Sequence, residues 1–295
     1  MNWEETFASW SKGPGQTEQD RCDNAANAIK KAIAASEKLT KLDITVFAQG
    51  SYRARTNVKA DSDVDVCVRL NSHSFDEYPP SKTKENYGRV DSALTFADYK
   101  NWVGDALIAY FGAGSVTRGN KAFDIHKNSY RVDADVVPAF QHRRYYQDGS
   151  DRYLLGVGFK SDKGDLIKNW PDQTLENGVK KHDDTSRRYK RMIRILKRLR
   201  NQMQDEKIAA ANDIASFLIE CLVWNVPNKS FGQDTYTADV RSVLMHTFNA
   251  TLKDEDCKEW GEVNELKYLF RSSQPWTREK AHAFLSAAWD YLEFK

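Results

Sequence analysis

The segment Ala48-Gln49-Gly50-Ser51-Tyr52, followed closely by Asp63-Val64-Asp65-Val66, constrains this chain more than any other feature. The apolar Ile44, Val46 and Phe47 predict a strand running up to Gly50, where a residue without a Cβ lets the backbone approach a ligand closely. Ser51 then offers a hydroxyl and an amide to phosphate oxygens. Val64-Asp65-Val66-Cys67-Val68 alternates as a second strand, so Asp63 and Asp65 share one face and Val64, Val66 and Val68 the other. Carboxylates that close repel each other unless a hard cation lies between them, and oxygen ligands of this kind suit Mg²⁺ bound jointly with substrate phosphates. The chemistry implied is two-metal phosphoryl transfer, with one ion activating an attacking hydroxyl and the other neutralising the pyrophosphate that leaves.

A two-metal site needs a third carboxylate from another strand. Tyr130-Arg131-Val132-Asp133-Ala134-Asp135-Val136-Val137-Pro138 supplies two candidates, Asp133 and Asp135, again on one face. Two rival readings of the aspartates are a solvated turn leading into a strand, and a calcium-binding EF-hand loop begun by Asp61-Ser62-Asp63-Val64-Asp65. The second fails, because Val66 stands where the loop needs Gly and Ser72 where it needs Glu.

With 295 residues, 40% of them hydrophobic, the chain can bury one large core or two moderate ones. A formal charge of +2 gives no case for general polyanion binding, and no stable nucleic-acid partner is expected. Cys22, Cys67, Cys221 and Cys257 are far apart and form no zinc-ligand spacing, which predicts reduced thiols in a cytoplasmic protein. The amino-terminal residues lack a secretory signal, and the apolar run at 215–226 is too short, and interrupted by Glu220, to span a membrane.

Along the chain, Trp3, Phe7 and Trp10 form a helical stripe that Lys12-Gly13-Pro14-Gly15 ends. Thr17, with Asp20 three residues on, predicts a capped second helix burying Cys22, Ala25, Ala26, Ile29, Ala32 and Ile33. Residues 71–90 read as a long polar loop; Phe96, Tyr99, Trp102, Val103, Leu107 and Tyr110 predict a helix that Gly112 and Gly114 end. A short strand near Val116 and a turn at Lys127-Asn128-Ser129 lead into the Asp133/Asp135 strand, which predicts a small mixed sheet. Asn169-Trp170-Pro171 and Asn177-Gly178 predict a linker, and helical periodicity follows. Residues 186–201 form an amphipathic helix with a basic remainder, on which Arg188, Arg198 and Arg200 are expected to be a solvated face. The apolar helix at 215–224, with Glu220, reads as core. Tyr52, Trp170, Trp224 and Tyr236 could stack a base but are read first as packing. Arg53, Arg55, Asn57 and Lys59 fill a loop that either contacts phosphates or faces solvent. His126 and His142 lie near the third acidic strand, and two-metal transfer needs no histidine base.

Taken together these elements, over residues 44–226, resemble the cyclic GMP-AMP synthase/DncV-like nucleotidyltransferases, bacterial enzymes that make cyclic oligonucleotide signals in anti-phage (CBASS-type) defence. The resemblance implies an α+β fold: a polymerase-beta-like nucleotidyltransferase core with a mixed sheet at 1–165, and a helical second lobe at 166–295 that forms a cleft with it. Asp-Val-Val-Pro-Ala-Phe resembles the segment carrying the third metal ligand in the 2′-5′ oligoadenylate synthetases, which favours Asp135, with Asp133 the alternative. Met192-Ile193-Arg194-Ile195-Leu196-Lys197 resembles the family's lysine-bearing helix, so Lys197 is expected to reach the donor triphosphate as a point cation, Arg194 being a lesser candidate. The implied site is Asp63, Asp65 and Asp135 on two Mg²⁺, for which Mn²⁺ can substitute, with Gly50, Ser51 and Lys197 cradling the triphosphate. The implied activity is synthesis of a cyclic di- or trinucleotide from ATP, with GTP or other ribonucleoside triphosphates as further substrates. An effector that reads the product, and an activating partner as some relatives need, are the implied partners; a monomer is the default. The rival readings are transfer to another acceptor, such as linear oligoadenylate or an RNA end, and an inactive nucleotide-binding scaffold. All three carboxylate positions are filled, which argues against the scaffold.

Overall fold

The computed structural model describes residues 2–58 and 63–294. Lys59, Asp61 and Ser62, named above, lie outside them. The helices are α1 (Trp3–Trp10), α2 (Gln16–Ala34), α3 (Gly50–Ala54), α4 (Phe96–Phe111), α5 (Pro171–Asp184), α6 (Tyr189–Asp205), α7 (Ser216–Trp224), α8 (Tyr236–Thr251), α9 (Asp254–Cys257) and α10 (Arg278–Tyr291). The strands are β1 (Ile44–Ala48), β2 (Val64–Glu77), β3 (Val116–Arg118), β4 (Phe123–Ile125), β5 (Ala134–Tyr145), β6 (Tyr153–Lys160) and β7 (Leu166–Asn169). The chain divides into two compact units, one of residues 15–53 and 60–172, the other of residues 1–14, 54–59 and 173–295.

The first unit is built on one mixed sheet in the order β1-β2-β5-β4-β3, with β6 pairing β5 and β7 pairing β6. Only β2 and β5 run parallel; the other pairs are antiparallel. Val64, Val66, Val68 and Leu70 are fully buried, as the alternation predicts. The α2 residues Cys22, Ala25 and Ile29 and the α4 residues Tyr99, Val103 and Leu107 belong to the same core. Each large apolar side chain buried this way contributes roughly 1.5–3 kcal/mol.

Three expectations are corrected here. The stretch after residue 71 is not all loop, because β2 continues to Glu77 across an irregularity between Leu70 and Ser74; alternating Phe75 and polar neighbours hid a strand with one polar face. Helix α2 starts at Gln16 with Gly15 as its N-cap and no side-chain cap, so the Thr17 box does not form. The expected linker is ordered: β7 occupies 166–169, and α5 starts at Pro171, where the missing N–H costs a helix nothing.

Among its described residues the second unit is helical apart from an isolated antiparallel bridge between Gly261 and Tyr268. Its core gathers Met192, Ile193, Leu196 and Leu199 of α6 with Leu218, Ile219 and Leu222 of α7, and Phe7 of α1 is fully buried among them. Residues 1–14 therefore sit with this unit rather than with the sheet, which differs from a division at residue 165.

Candidate active site

Strand β1 ends with Ala48 opposite Val66, and the Gln49 N–H donates to the Asp65 carbonyl at 2.8 Å. The chain then turns at Gly50, whose φ of +66° is left-handed, into the short α3 bearing Ser51. A Cβ on Gly50 would stand 2.0 Å from Asp65 Oδ2. Glycine is thus demanded twice, by the backbone and by the carboxylate occupying the place of a side chain. The Gly-Ser turn and Asp65 form one surface.

Across the sheet, Asp65 on β2 is in register with Asp135 on β5, and Asp135 with Asp124 on β4. Neighbouring strands lie about 4.8 Å apart, so three carboxylates form a row, with Asp63 at its margin. Burial pushes the Asp135 carboxyl up to about 7, and the charges of Asp65, Asp124 and Asp63 add to the shift, as does a hydrogen bond to Asp124. Carboxylates so placed relieve their repulsion by sharing a proton or a cation. Among the described residues no three acidic, His or Cys side chains already converge as a ready-made ligand set. Hard oxygen donors in a row, an excess of negative charge and a glycine that leaves room beside Asp65 nevertheless fit a divalent cation shared with phosphate oxygens.

Asp133, the alternative third ligand, is engaged elsewhere: its carboxylate accepts the Lys127 backbone N–H at 2.6 Å, with Lys127 Nζ at 3.9 Å. It closes the turn before β5. Asp124 is the residue that sequence reading missed. The signal was present, since Phe123-Asp124-Ile125 repeats the apolar-Asp-apolar pattern of Val64-Asp65-Val66 and Ala134-Asp135-Val136, with Phe123 and Ile125 buried. A three-residue strand is too short for alternation to announce itself.

In the helical unit Lys197 is 1% exposed, and its ammonium donates to Glu220 Oε1 at 2.6 Å and to the Thr56 carbonyl at 3.1 Å. Arg194 donates to the carbonyls of Ser11 at 2.7 Å and Arg55 at 2.6 Å, and burial lowers its guanidinium to about 10. Its groups are thus given to backbone. The expectation of a solvated basic face is corrected for two residues: Arg200 is buried, donating to Ser216 Oγ at 3.0 Å, and Arg188 pairs with the fully buried Asp239 at 3.1 Å. Amphipathic periodicity reports the apolar stripe but not which long cations bury their stems beside it.

The family model for the cGAS/DncV-like nucleotidyltransferase C-terminal helical domain matches residues 176–293. A cyclic dipyrimidine nucleotide synthase of Legionella pneumophila is 42% identical over 99% of this chain and 99% of its own length. Another, of Cecembia lonarensis, is 39% identical over 99% and 98%. The chain belongs to the cGAS/DncV-like nucleotidyltransferases. Its fold is theirs: a solved structure of the Elizabethkingia meningoseptica CdnE cyclic dinucleotide synthase with GTP and Apcpp aligns at a TM-score of 0.80 and 34% identity, covering 99% of each chain. The chain is accordingly a nucleotidyltransferase, an enzyme class whose members use a divalent metal.

In this nucleotidyltransferase the candidate stacking aromatics of the sheet unit are packing residues. Tyr52 is buried and donates its hydroxyl to Asp23 at 2.8 Å. Trp170 is 1% exposed, covered by the His142 ring and by the Arg144 guanidinium 4.3 Å from its centroid. In the helical unit Trp224 meets Tyr189 edge-on, and the Tyr236 hydroxyl accepts from Arg191 at 2.7 Å. Arg53 pairs with Asp172 at 2.8 Å and Asn57 is buried, so neither is a simple solvent-facing loop residue. His142 is fully buried, and burial lowers its imidazole's affinity for a proton. His126 bonds Thr117 Oγ1 at 3.0 Å. Among the described residues no helix is long and apolar enough to cross a membrane.

Proposed function

We propose that this nucleotidyltransferase joins ribonucleoside triphosphates into a cyclic di- or trinucleotide, releasing pyrophosphate at each bond, as a signal in antiviral defence. The observation that carries the proposal is the register that sets Asp135 beside Asp65, with the Gly50 turn closed against the same carboxylate. Asp63, Asp65 and Asp135 would hold two Mg²⁺, which when bound would activate the attacking hydroxyl and neutralise the leaving pyrophosphate. Gly50 lets the backbone approach the donor phosphates, and Ser51 presents its hydroxyl and amide to them. Lys197 supplies a compensating cation to the same triphosphate. Asp133 is set aside because its carboxylate closes its own turn.

UTP and CTP head the list of substrates, because the two curated relatives near 40% identity are both named as dipyrimidine synthases. ATP and GTP are the runners-up, the E. meningoseptica structure holding GTP. The reaction is placed in the cytoplasm, where the nucleotides are and where four free, buried cysteines stay reduced. An effector that binds the cyclic product, and an activator of the synthase, complete the proposed system.

The test is incubation with four labelled ribonucleoside triphosphates and Mg²⁺, then phosphatase treatment and mass analysis. A resistant species at the mass of a cyclic dimer or trimer, absent with Asp65→Asn, is the expected result. Only linear, phosphatase-trimmed products would give the enzyme another acceptor and overturn the cyclic assignment.

A further inference from the structure

Lys197 and Glu220 lie on adjacent helices of the helical unit, and Glu220 is 6% exposed. Glu220 Oε1 is a double acceptor, taking Lys197 Nζ at 2.6 Å and Thr56 Oγ1 at 2.8 Å, while Lys197 also donates to the Thr56 carbonyl at 3.1 Å. The Lys197 and Glu220 side chains and the hydroxyl and carbonyl of Thr56 close a small buried ring of hydrogen bonds. A pair of this kind gains little stability over an apolar pair of equal volume, so its presence calls for another use. Two of the three N–H donors of the ammonium are assigned to those oxygens, which leaves one for an incoming anion.

We propose that Glu220 is a positioning residue: it serves as the standing counterion of Lys197, holding the ammonium oriented until a nucleoside triphosphate takes its place as the anion. The inference rests on the reading of Lys197 given above. A lysine waiting in a buried place without an anion would carry an uncompensated desolvation cost, and a carboxylate removes it. A phosphate oxygen offers the same chemistry as the carboxylate, an anionic acceptor, with more charge behind it. The exchange has a sign: Glu220 competes with the triphosphate for one cation. Glu220→Gln keeps an oxygen acceptor for Thr56 and Lys197 but removes the competing charge.

The experiment measures equilibrium binding of a nonhydrolysable ribonucleoside triphosphate to the full chain, native, Glu220→Gln and Lys197→Gln. Glu220→Gln is expected to tighten the dissociation constant by roughly three- to tenfold, and Lys197→Gln to weaken it at least as much, as for removal of a close charge. The Gln variant is further expected to lower KM and kcat together, because the ammonium binds more readily and is held less firmly, a split that mere loss of stability would not produce. Unchanged or weaker binding by Glu220→Gln, with Lys197→Gln still weakened, overturns the counterion role and leaves the lysine's role standing. Binding unaffected by Lys197→Gln overturns both. Should Glu220→Gln fail to fold, the native protein decides: a structure with the analogue is expected to show Lys197 Nζ on a phosphate oxygen, and an unaltered Lys197–Glu220 pair with every phosphate elsewhere overturns the proposal.

Discussion

At the scale of single residues, the steric facts at Gly50 are sharper than its place in a motif. A methyl there meets Asp65 Oδ2 and also strains a backbone at φ +66°. Gly50→Ala is therefore expected to move the Asp65 carboxylate and lower turnover by at least about a hundredfold, against a stability loss of only about 1–2 kcal/mol for the left-handed residue. Steady-state rates alongside thermal melts check this. Among the acidic residues, Asp135→Asn should abolish turnover, while Asp133→Asn keeps an amide oxygen for the Lys127 N–H, loses only the charge on that bond, costs at most about 1 kcal/mol and leaves most activity. Equal loss from both would restore Asp133 as a candidate ligand. The pattern Gly-Ser then Asp-x-Asp was legible because it repeats chemistry at fixed spacing. Choosing between Asp133 and Asp135 was beyond alternation, since both share a face; only the Lys127 N–H on Asp133 and the opposing Asp124 on β4 separate them.

At the scale of elements, caps and junctions carry more than propensity does. Glu4 of α1 accepts the backbone N–H groups of Tyr236 and Thr237, at 2.9 and 2.8 Å, and so satisfies orphan donors at the start of α8. Its negative charge also meets the positive end of that helix. Glu4→Ala is expected to cost about 1–2 kcal/mol, read as a fall of a few degrees in melting temperature with kcat nearly unchanged. No local sequence signal marks this cap, because its donor and acceptor lie more than two hundred residues apart. The junction between α5 and α6 carries another expectation. His182 Nδ1 accepts the Lys190 N–H at 3.2 Å, and burial, reinforced by the charges of Lys190 and Arg194, lowers its imidazole to about 4. The folded state refuses a proton that the unfolded state takes up near pH 6.5, so stability falls as pH drops from there towards 4 and is unaffected by this group above it. His182→Asn, which keeps an acceptor without a titration, should flatten that part of the stability–pH curve. Parallel acid limbs for the two proteins would remove His182 as its cause.

At the scale of the whole molecule, the chain is not divided where its composition changes. The shift to helical periodicity beyond the expected linker was legible, and the family's helical-domain model begins at 176. Yet the compact helical unit also takes in 1–14 and 54–59, because Phe7 is buried in its core and Arg194 and Glu220 bind Ser11, Arg55 and Thr56. Periodicity reads a stripe within one helix and is blind to which distant helix will cover it; Trp3, Phe7 and Trp10 announced an apolar face without announcing its partner. The consequence is testable with fragments. A polypeptide of residues 173–295 lacks Phe7, whose removal alone from a core costs about 3–5 kcal/mol, a large share of the 5–15 kcal/mol that holds a domain together. It also strands the Arg194 guanidinium and the Glu220 carboxylate without their carbonyl and hydroxyl partners. That fragment is expected to melt broadly and at low temperature by circular dichroism. Residues 1–14 fused ahead of it through a flexible linker should restore a cooperative transition, since Phe7 and the Ser11 carbonyl return at high effective concentration. A fragment that already melts as sharply as the intact chain would show that the helices within 173–295 suffice, and that the amino-terminal helix is an accessory to a core able to close without it.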